Sequence, residues 1–377
     1  MDLFNVYPRF DITPVKGNGC YLYDSKGTQY LDLYGGHGVI SIGHGHPHYL
    51  KRLQEQLSRL GFYSNSVNIP VQEKLANLLG EQSGYTEHQL FLCNSGAEAN
   101  ENALKLASFH TNKRMVIAFK NSFHGRTAAA LNVTDNCISA PINQSNFYVQ
   151  MLELNDFAAA EKALASNEAA AVIVEGIQGV GGLDMPSAEF LQFLSLNCRQ
   201  NGALLILDEI QSGYGRTGAF FAHQHADIEA DIVTVAKGMG NGFPMAGVLI
   251  HQQVQASLGM LGTTFGGNHL ACAAGCAVLE TIEEEHLLLN AHIVGQWLKN
   301  ALENIPEVIK VKGMGLMLGI ETDKAVKPER LSLLHEYNIL TGASSNPKVL
   351  RILPPLNISI DHLKPFIAAL STVLTNS

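Results

Sequence analysis

The chain has 377 residues, 46% of them hydrophobic and 16% charged, which is enough apolar material for a large buried core and unlike a disordered or fibrous chain. Its formal charge of −9, with no Lys/Arg run, points away from nucleic acid, whose phosphates call for a basic stripe. The opening MDLFNVYPRFDITPVKG has no basic start followed by an apolar core, and no apolar run is long enough to span a bilayer, so a cytoplasmic protein without membrane attachment is expected.

From the amino terminus, residues 19–33 (GCYLYDSKGTQYLDL) alternate around Ser25, Lys26 and Gly27 and read as a hairpin. The following GHGHPH (43–48) offers three imidazoles, but the spacing matches no zinc pattern and no Cys/His pair complements it, so a Gly/Pro turn is expected and no metal. Residues 97–110 read as a helix, 115–119 (MVIAF) as a buried strand, 156–166 as a helix and 171–174 (AVIV) as a strand. Then come a helix at 187–200, a strand at 203–207 (ALLIL) and a strand at 231–236 (DIVTVA). Beyond about residue 271 the pattern turns helical (271–284 and 286–304) and ends in short strands and helices. Buried strands alternating with helices imply an α/β protein with a mostly parallel sheet. The expected domains are a large one over 61–268, flanked by 1–60 and 269–377, which join in a smaller α+β domain. Six cysteines (Cys20, Cys93, Cys137, Cys198, Cys272, Cys276) form no CxxC pair. Cys272 and Cys276, one helical turn apart in ACAAGCAV, read as small apolar fillers.

In such sheets ligands sit at the carboxyl ends of the strands. One apolar strand ends there in Asp208, and the next is followed by Lys237 and the glycine-rich Gly238, Met239, Gly240, Asn241, Gly242. Asp208 alone could be a cap or a surface acid. A lysine at the end of a buried strand is partly desolvated, which lowers its pKa and frees a nucleophilic amine. Together the two suit a ring cofactor with an aldehyde on one side and a basic nitrogen on the other. A phosphate handle is available where NSGAEAN (94–100) opens a helix with small residues and free amides. The Gly238–Gly242 stretch lacks the strand-to-helix GxGxxG context of a dinucleotide site.

Six ordered motifs, NSGAEAN (94–100), SFHGRT (122–127), LDEIQSGYGRTG (207–218), AKGMGNGFPMAG (236–247), GTTFGGN (262–268) and RILPPLNIS (351–359), resemble the class III, fold-type I aminotransferases that depend on pyridoxal 5′-phosphate (PLP). YPRFDIT (7–13) and YLDLYGGHGVISIGHGHP (30–47) resemble the acetylornithine/succinylornithine branch. The resemblance implies a large, mostly parallel sheet domain with helices on both faces and a smaller domain from the two chain ends. It implies that Lys237 carries the cofactor as a Schiff base and that Asp208 pairs with the ring nitrogen. Gln211 would lie near the phenolic oxygen and Phe123 would stack on the ring. Gly96 and Ala97 would offer amides to the phosphate, and Ser95 and His124 would join the cofactor site. Thr264 would reach the phosphate of a neighbouring subunit's cofactor, which makes the active unit a homodimer. Arg126 and Arg351 would hold substrate carboxylates, with Glu175 supporting the same site.

Where relatives continue Glu-Pro-x-Gln-Gly-Glu, this chain has Glu175, Gly176, Ile177, Gln178, Gly179, Val180. The second acid, which in ornithine-type relatives pairs with the substrate-binding arginine, is Val180. Arg351 therefore lacks that partner, and simple ornithine transfer is in doubt. The expected reaction moves the δ-amine of N-acetyl- or N-succinylornithine to 2-oxoglutarate, in arginine biosynthesis. An ω-aminotransferase for ornithine or 4-aminobutyrate, a PLP-dependent mutase or decarboxylase, and a non-catalytic homologue remain as alternatives.

Overall fold

A computed structural model describes residues 1, 4–135 and 147–376; Cys137 lies outside them. The amino-terminal hairpin forms as expected from β2 (Tyr21–Asp24) and β3 (Gln29–Asp32), and a further strand, β1 (Pro14–Asn18), pairs antiparallel with β2. Next come β4 (His88–Cys93), β5 (Met115–Phe119), β6 (Tyr148–Leu152), β7 (Ala169–Glu175), β8 (Leu204–Asp208), β9 (Ile232–Val235) and β10 (Ala246–His251). They make one sheet in the order β4-β10-β9-β8-β7-β5-β6. β10 is antiparallel to both neighbours and the pairs among β5 to β9 are parallel. The carboxyl half adds β11 (Lys310–Met314), β12 (Met317–Glu321), β13 (Ile339–Leu340), β14 (Gly342–Ala343) and β15 (Val349–Ile352). β13 pairs in parallel with β3, so the two chain ends share a sheet, while β11, β12, β15 and β14 form a third.

The two-residue period of the central strands builds two cores. Ile117, Phe119, Val172, Val174, Leu205, Leu207 and Val233 face one side, packed with Phe190, Leu191 and Leu194 of helix Ala188–Gln200. Val116, Ala118, Ala171, Ile173, Leu204, Ile206 and Ile232 face the other, packed with Ala99, Ala103 and Leu106 of helix Gly96–Thr111. Both faces are thus covered, which is why these strands read as unbroken apolar runs. Cys272 and Cys276 are buried on helix His269–Glu284 among other small residues.

Candidate active site

The same period sets the polar groups. Glu175 lies opposite Asp208, and Asp208 opposite Thr234, in neighbouring strands. All three continue the face that carries Ile173, Ile206 and Ile232, so they point toward helix Gly96–Thr111 at the carboxyl end of the sheet. Asn100 of that helix meets them. Its Nδ2 donates to Asp208 Oδ2 at 2.8 Å and to the carbonyl of His124 at 2.8 Å, while its Oδ1 accepts from Thr234 Oγ1 at 2.7 Å. Asp208 Oδ2 also contacts His124 Nδ1 at 2.7 Å, and Oδ1 accepts from the Ile210 amide at 3.0 Å. The carboxylate is buried with hydrogen bonds on both oxygens, which fixes its direction and leaves acceptor capacity on Oδ1.

Lys237 follows β9 in a left-handed conformation, φ 44°, unusual for a residue with a side chain. The loop is tied from the amino-terminal segment. Ser41 Oγ donates to Gly238 O at 2.7 Å, Tyr49 Oη donates to Gly240 O at 2.8 Å, and Asn241 Oδ1 accepts from the amides of Ser41 and Ile42. Burial holds the lysine's pKa below its ordinary value; Asp208 and Glu175 pull it up, and Arg351 pushes it further down. Glu175 is pushed up to about 7, first by burial and then, against the pull of His124, by the neighbouring Asp208. Its carboxylate accepts from the amides of Phe123 (2.9 Å) and Gly179 (3.1 Å), so it fastens the loops on either side of the site.

The residues present fit PLP. Ser95 caps helix Gly96–Thr111 by accepting from the Glu98 amide at 3.2 Å. The Gly96 and Ala97 amides beside it have no hydrogen-bond partner among the described residues. Gly96 is tight against Ile210, where a Cβ would come within 2.9 Å, and Gly125 (φ 137°) brings the Phe123–Arg126 turn against Ala97, where a Cβ would sit 2.6 Å from Ala97 Cβ. His124 Nε2 and Gln211 Oε1 are buried without a partner, two polar atoms that a bound ring system could satisfy.

Arg351, on β15, is buried; its Nη1 donates to Gly179 O at 2.6 Å and its Nη2 to Tyr34 Oη at 3.3 Å, while Nε is buried without a partner. No carboxylate pairs with it among the described residues. Arg126 is exposed, its guanidinium 5.7 Å from the centroid of the partly buried Phe123 ring. Thr264 is exposed next to Phe265. The structure therefore gathers Asp208, His124, Lys237, Glu175, Gln211, Phe123 and Arg351 at one end of the sheet, and leaves Thr264 exposed. The GHGHPH imidazoles each take a carboxylate: His44 with Asp32, His46 with Glu285 and His48 with Glu280, at 2.7–2.8 Å.

The sequence does not single out Asn100, Thr234, Tyr34 or His37, which the structure brings to the site. Asn100 carries one hint, a polar residue in the NSGAEAN motif within a helix whose buried side chains are mostly apolar. The roles of Tyr34 and His37 carry none.

A family model described as Aminotransferase class-III matches residues 5–374. The chain belongs to the class-III aminotransferases. It is an aminotransferase of a PLP-dependent class. It is 40% identical over 384 residues to the acetylornithine aminotransferase of Aquifex aeolicus, covering 99% of each chain. Among solved structures, the acetylornithine aminotransferase of Elizabethkingia anophelis superposes with a TM-score of 0.87 at 28% identity, covering 98% of this chain and 96% of that one. The ornithine aminotransferase of Toxoplasma gondii superposes with a TM-score of 0.90 at 28% identity, covering 98% and 91%. This likeness is to the fold-type I architecture expected from the motifs.

Proposed function

We propose that this aminotransferase moves the δ-amino group of an N-acylated ornithine, acetyl or succinyl, to 2-oxoglutarate, giving the N-acyl-glutamate semialdehyde and glutamate, as a step in arginine biosynthesis. The reading rests on full-length likeness to acetylornithine aminotransferases, combined with a buried arginine, Arg351, that forms no ion pair with a carboxylate among the described residues. Bound PLP supplies an aldehyde that condenses with amines and a ring that holds an electron pair. Lys237 Nζ, kept below its ordinary pKa by burial, would serve as the base that takes a proton from the reacting carbon and delivers it to the carbon on the far side of the amine nitrogen. Asp208, its direction set by Asn100, His124 and the Ile210 amide, would pair with the ring nitrogen and hold a proton there. The Gly96 and Ala97 amides, with the helix dipole behind them, would hold the phosphate. Arg351 and Arg126 receive the two carboxylates of 2-oxoglutarate, for which a planar guanidinium offers a paired fork.

A homodimer is part of the proposal. Phe62 and Phe265 are exposed with ring centroids 5.4 Å apart, and Leu57, Leu60, Tyr63 and Val67 are exposed nearby in sequence. A second copy covering this patch would bring Thr264 to a neighbouring site. Free ornithine is the second reading, favoured by the likeness to the Toxoplasma enzyme, but Val180 argues against it.

The test is the absorption spectrum of the PLP-loaded protein, mixed separately with acetylornithine, succinylornithine, ornithine and 4-aminobutyrate. An acylornithine should bleach the yellow band faster than the other amines do, and 2-oxoglutarate should restore it. Lys237→Ala should abolish turnover. Faster reaction with free ornithine than with either acyl form would refute the substrate, and full activity of Lys237→Ala would refute the mechanism.

A further inference from the structure

A single site must serve two substrates of different shape at the reacting carbon. Glutamate and 2-oxoglutarate carry a carboxylate on that carbon, whereas the δ-carbon of an acylornithine carries only hydrogen. A buried guanidinium set to receive that carboxylate is left facing nothing while the δ-amine reacts, and an unpaired buried charge is costly. The acid that serves relatives as a resting partner is Val180 here.

The structure shows what stands near Arg351 instead. The hydroxyl of Tyr34 lies 3.3 Å from Nη2, with the ring centroid 5.6 Å from the guanidinium carbon. The same hydroxyl is hydrogen-bonded to Nδ1 of His37, whose ring centroid is 4.8 Å from that of Tyr34. His37 sits at φ 70°, in the left-handed region, and its carbonyl accepts from Gln211 Nε2 at 2.9 Å. Gly342, which lies opposite Arg351 in the β14–β15 pair, has no side chain, and a Cβ there would come within 2.5 Å of the Tyr34 ring. The ring is thus confined between His37 and the strand beside Arg351. Burial first, then Arg351, Lys237 and Arg126, push the His37 pKa down to about 4, so the imidazole is neutral near pH 7 and can accept the phenol proton. That leaves the phenol oxygen's lone pairs for Arg351.

We infer that Tyr34 and His37 are positioning residues that hold Arg351 by an uncharged contact while the δ-amine donor reacts, in place of the acid lost at position 180. Gly179 O keeps Nη1 anchored throughout, and the unpartnered Nε leaves an edge for the incoming carboxylate. A neutral oxygen at 3.3 Å yields to a carboxylate without an anion having to be expelled. The inference rests on the proposed δ-amine donor.

The experiment compares the two half-reactions of the PLP-loaded enzyme by stopped-flow absorbance, acylornithine in one and glutamate in the other, for wild type, Tyr34→Phe and His37→Asn. Asparagine tolerates left-handed backbone, which guards against a simple folding defect. The expected result is that kcat/KM for acylornithine falls about tenfold more than kcat/KM for glutamate in Tyr34→Phe. His37→Asn should shift the ratio the same way, and Val180→Glu added to Tyr34→Phe should recover the acylornithine reaction. Glutarate, measured by calorimetry, should bind Tyr34→Phe at least as tightly as wild type. Equal losses in both half-reactions, no loss, or weaker glutarate binding would overturn the inference, since the last would make Tyr34 a carboxylate ligand. A wild type bleached by glutamate but not by acylornithine would overturn the proposed substrate and this inference together.

Discussion

Replacing Asn100 by alanine isolates the group on which the buried end of the site depends. The side chain makes three hydrogen bonds of 2.7–2.8 Å, to Asp208 Oδ2, the His124 carbonyl and Thr234 Oγ1. Removing it strands a buried hydroxyl and a buried carbonyl and takes one donor from a buried carboxylate. Such losses cost about 1–3 kcal/mol for each stranded group, so Asn100→Ala should lose about 3–5 kcal/mol after partial relaxation or entry of water. At roughly 2–4 °C per kcal/mol for domains of 150–250 residues, and less for a longer chain, the holoenzyme midpoint should drop by about 5–10 °C. Asn100→Asp keeps the volume but brings a second carboxylate to the 2.8 Å contact with Asp208, and should be at least as damaging. Differential scanning fluorimetry measures both, with turnover followed alongside. Midpoints within about 1 °C of wild type in both variants would refute the view that Asn100 fixes Asp208.

Gly179→Ala should cut activity about tenfold or more while the protein stays folded, because a Cβ would stand 1.8 Å from Gln211 Oε1 and must displace that side chain beside the Arg351 anchor; kinetics with a thermal-shift control check it. His37 binds fewer protons folded than unfolded between about 4 and its ordinary 6.5, so its contribution to stability is fully present above that window and is lost as pH falls through it. The midpoint difference between wild type and His37→Asn should therefore shrink from pH 6.5 to 4, and a constant difference would refute the assignment. Phe265→Ser should raise the monomer fraction in sedimentation velocity if the Phe62–Phe265 patch is covered by a second copy, and an unchanged boundary would remove that face from the proposed dimer.

Much of the site's frame was legible because it is local. An apolar strand followed by an acid, and another followed by Lys237 and glycines, announce groups at the carboxyl end of a sheet, and that is where Asp208 and Lys237 stand. The edge strand β4 is not legible in the sequence, because a half-buried edge carries His88 and Gln89 and loses the unbroken apolar run of the central strands.

Local periodicity and motif order by themselves determined the α/β class, the aminotransferase family and the residues at the strand ends, since each depends on a few neighbouring side chains in a repeating geometry. Tertiary structure alone decided what those residues touch. Asn100 reaches Asp208 across 108 positions and Tyr34 reaches Arg351 across 317, contacts created by bringing a helix over the sheet and by pairing β13 with β3. Hydrogen bonds of about 3 Å require that placement to be correct within a fraction of an ångström, and no spacing along the chain encodes it.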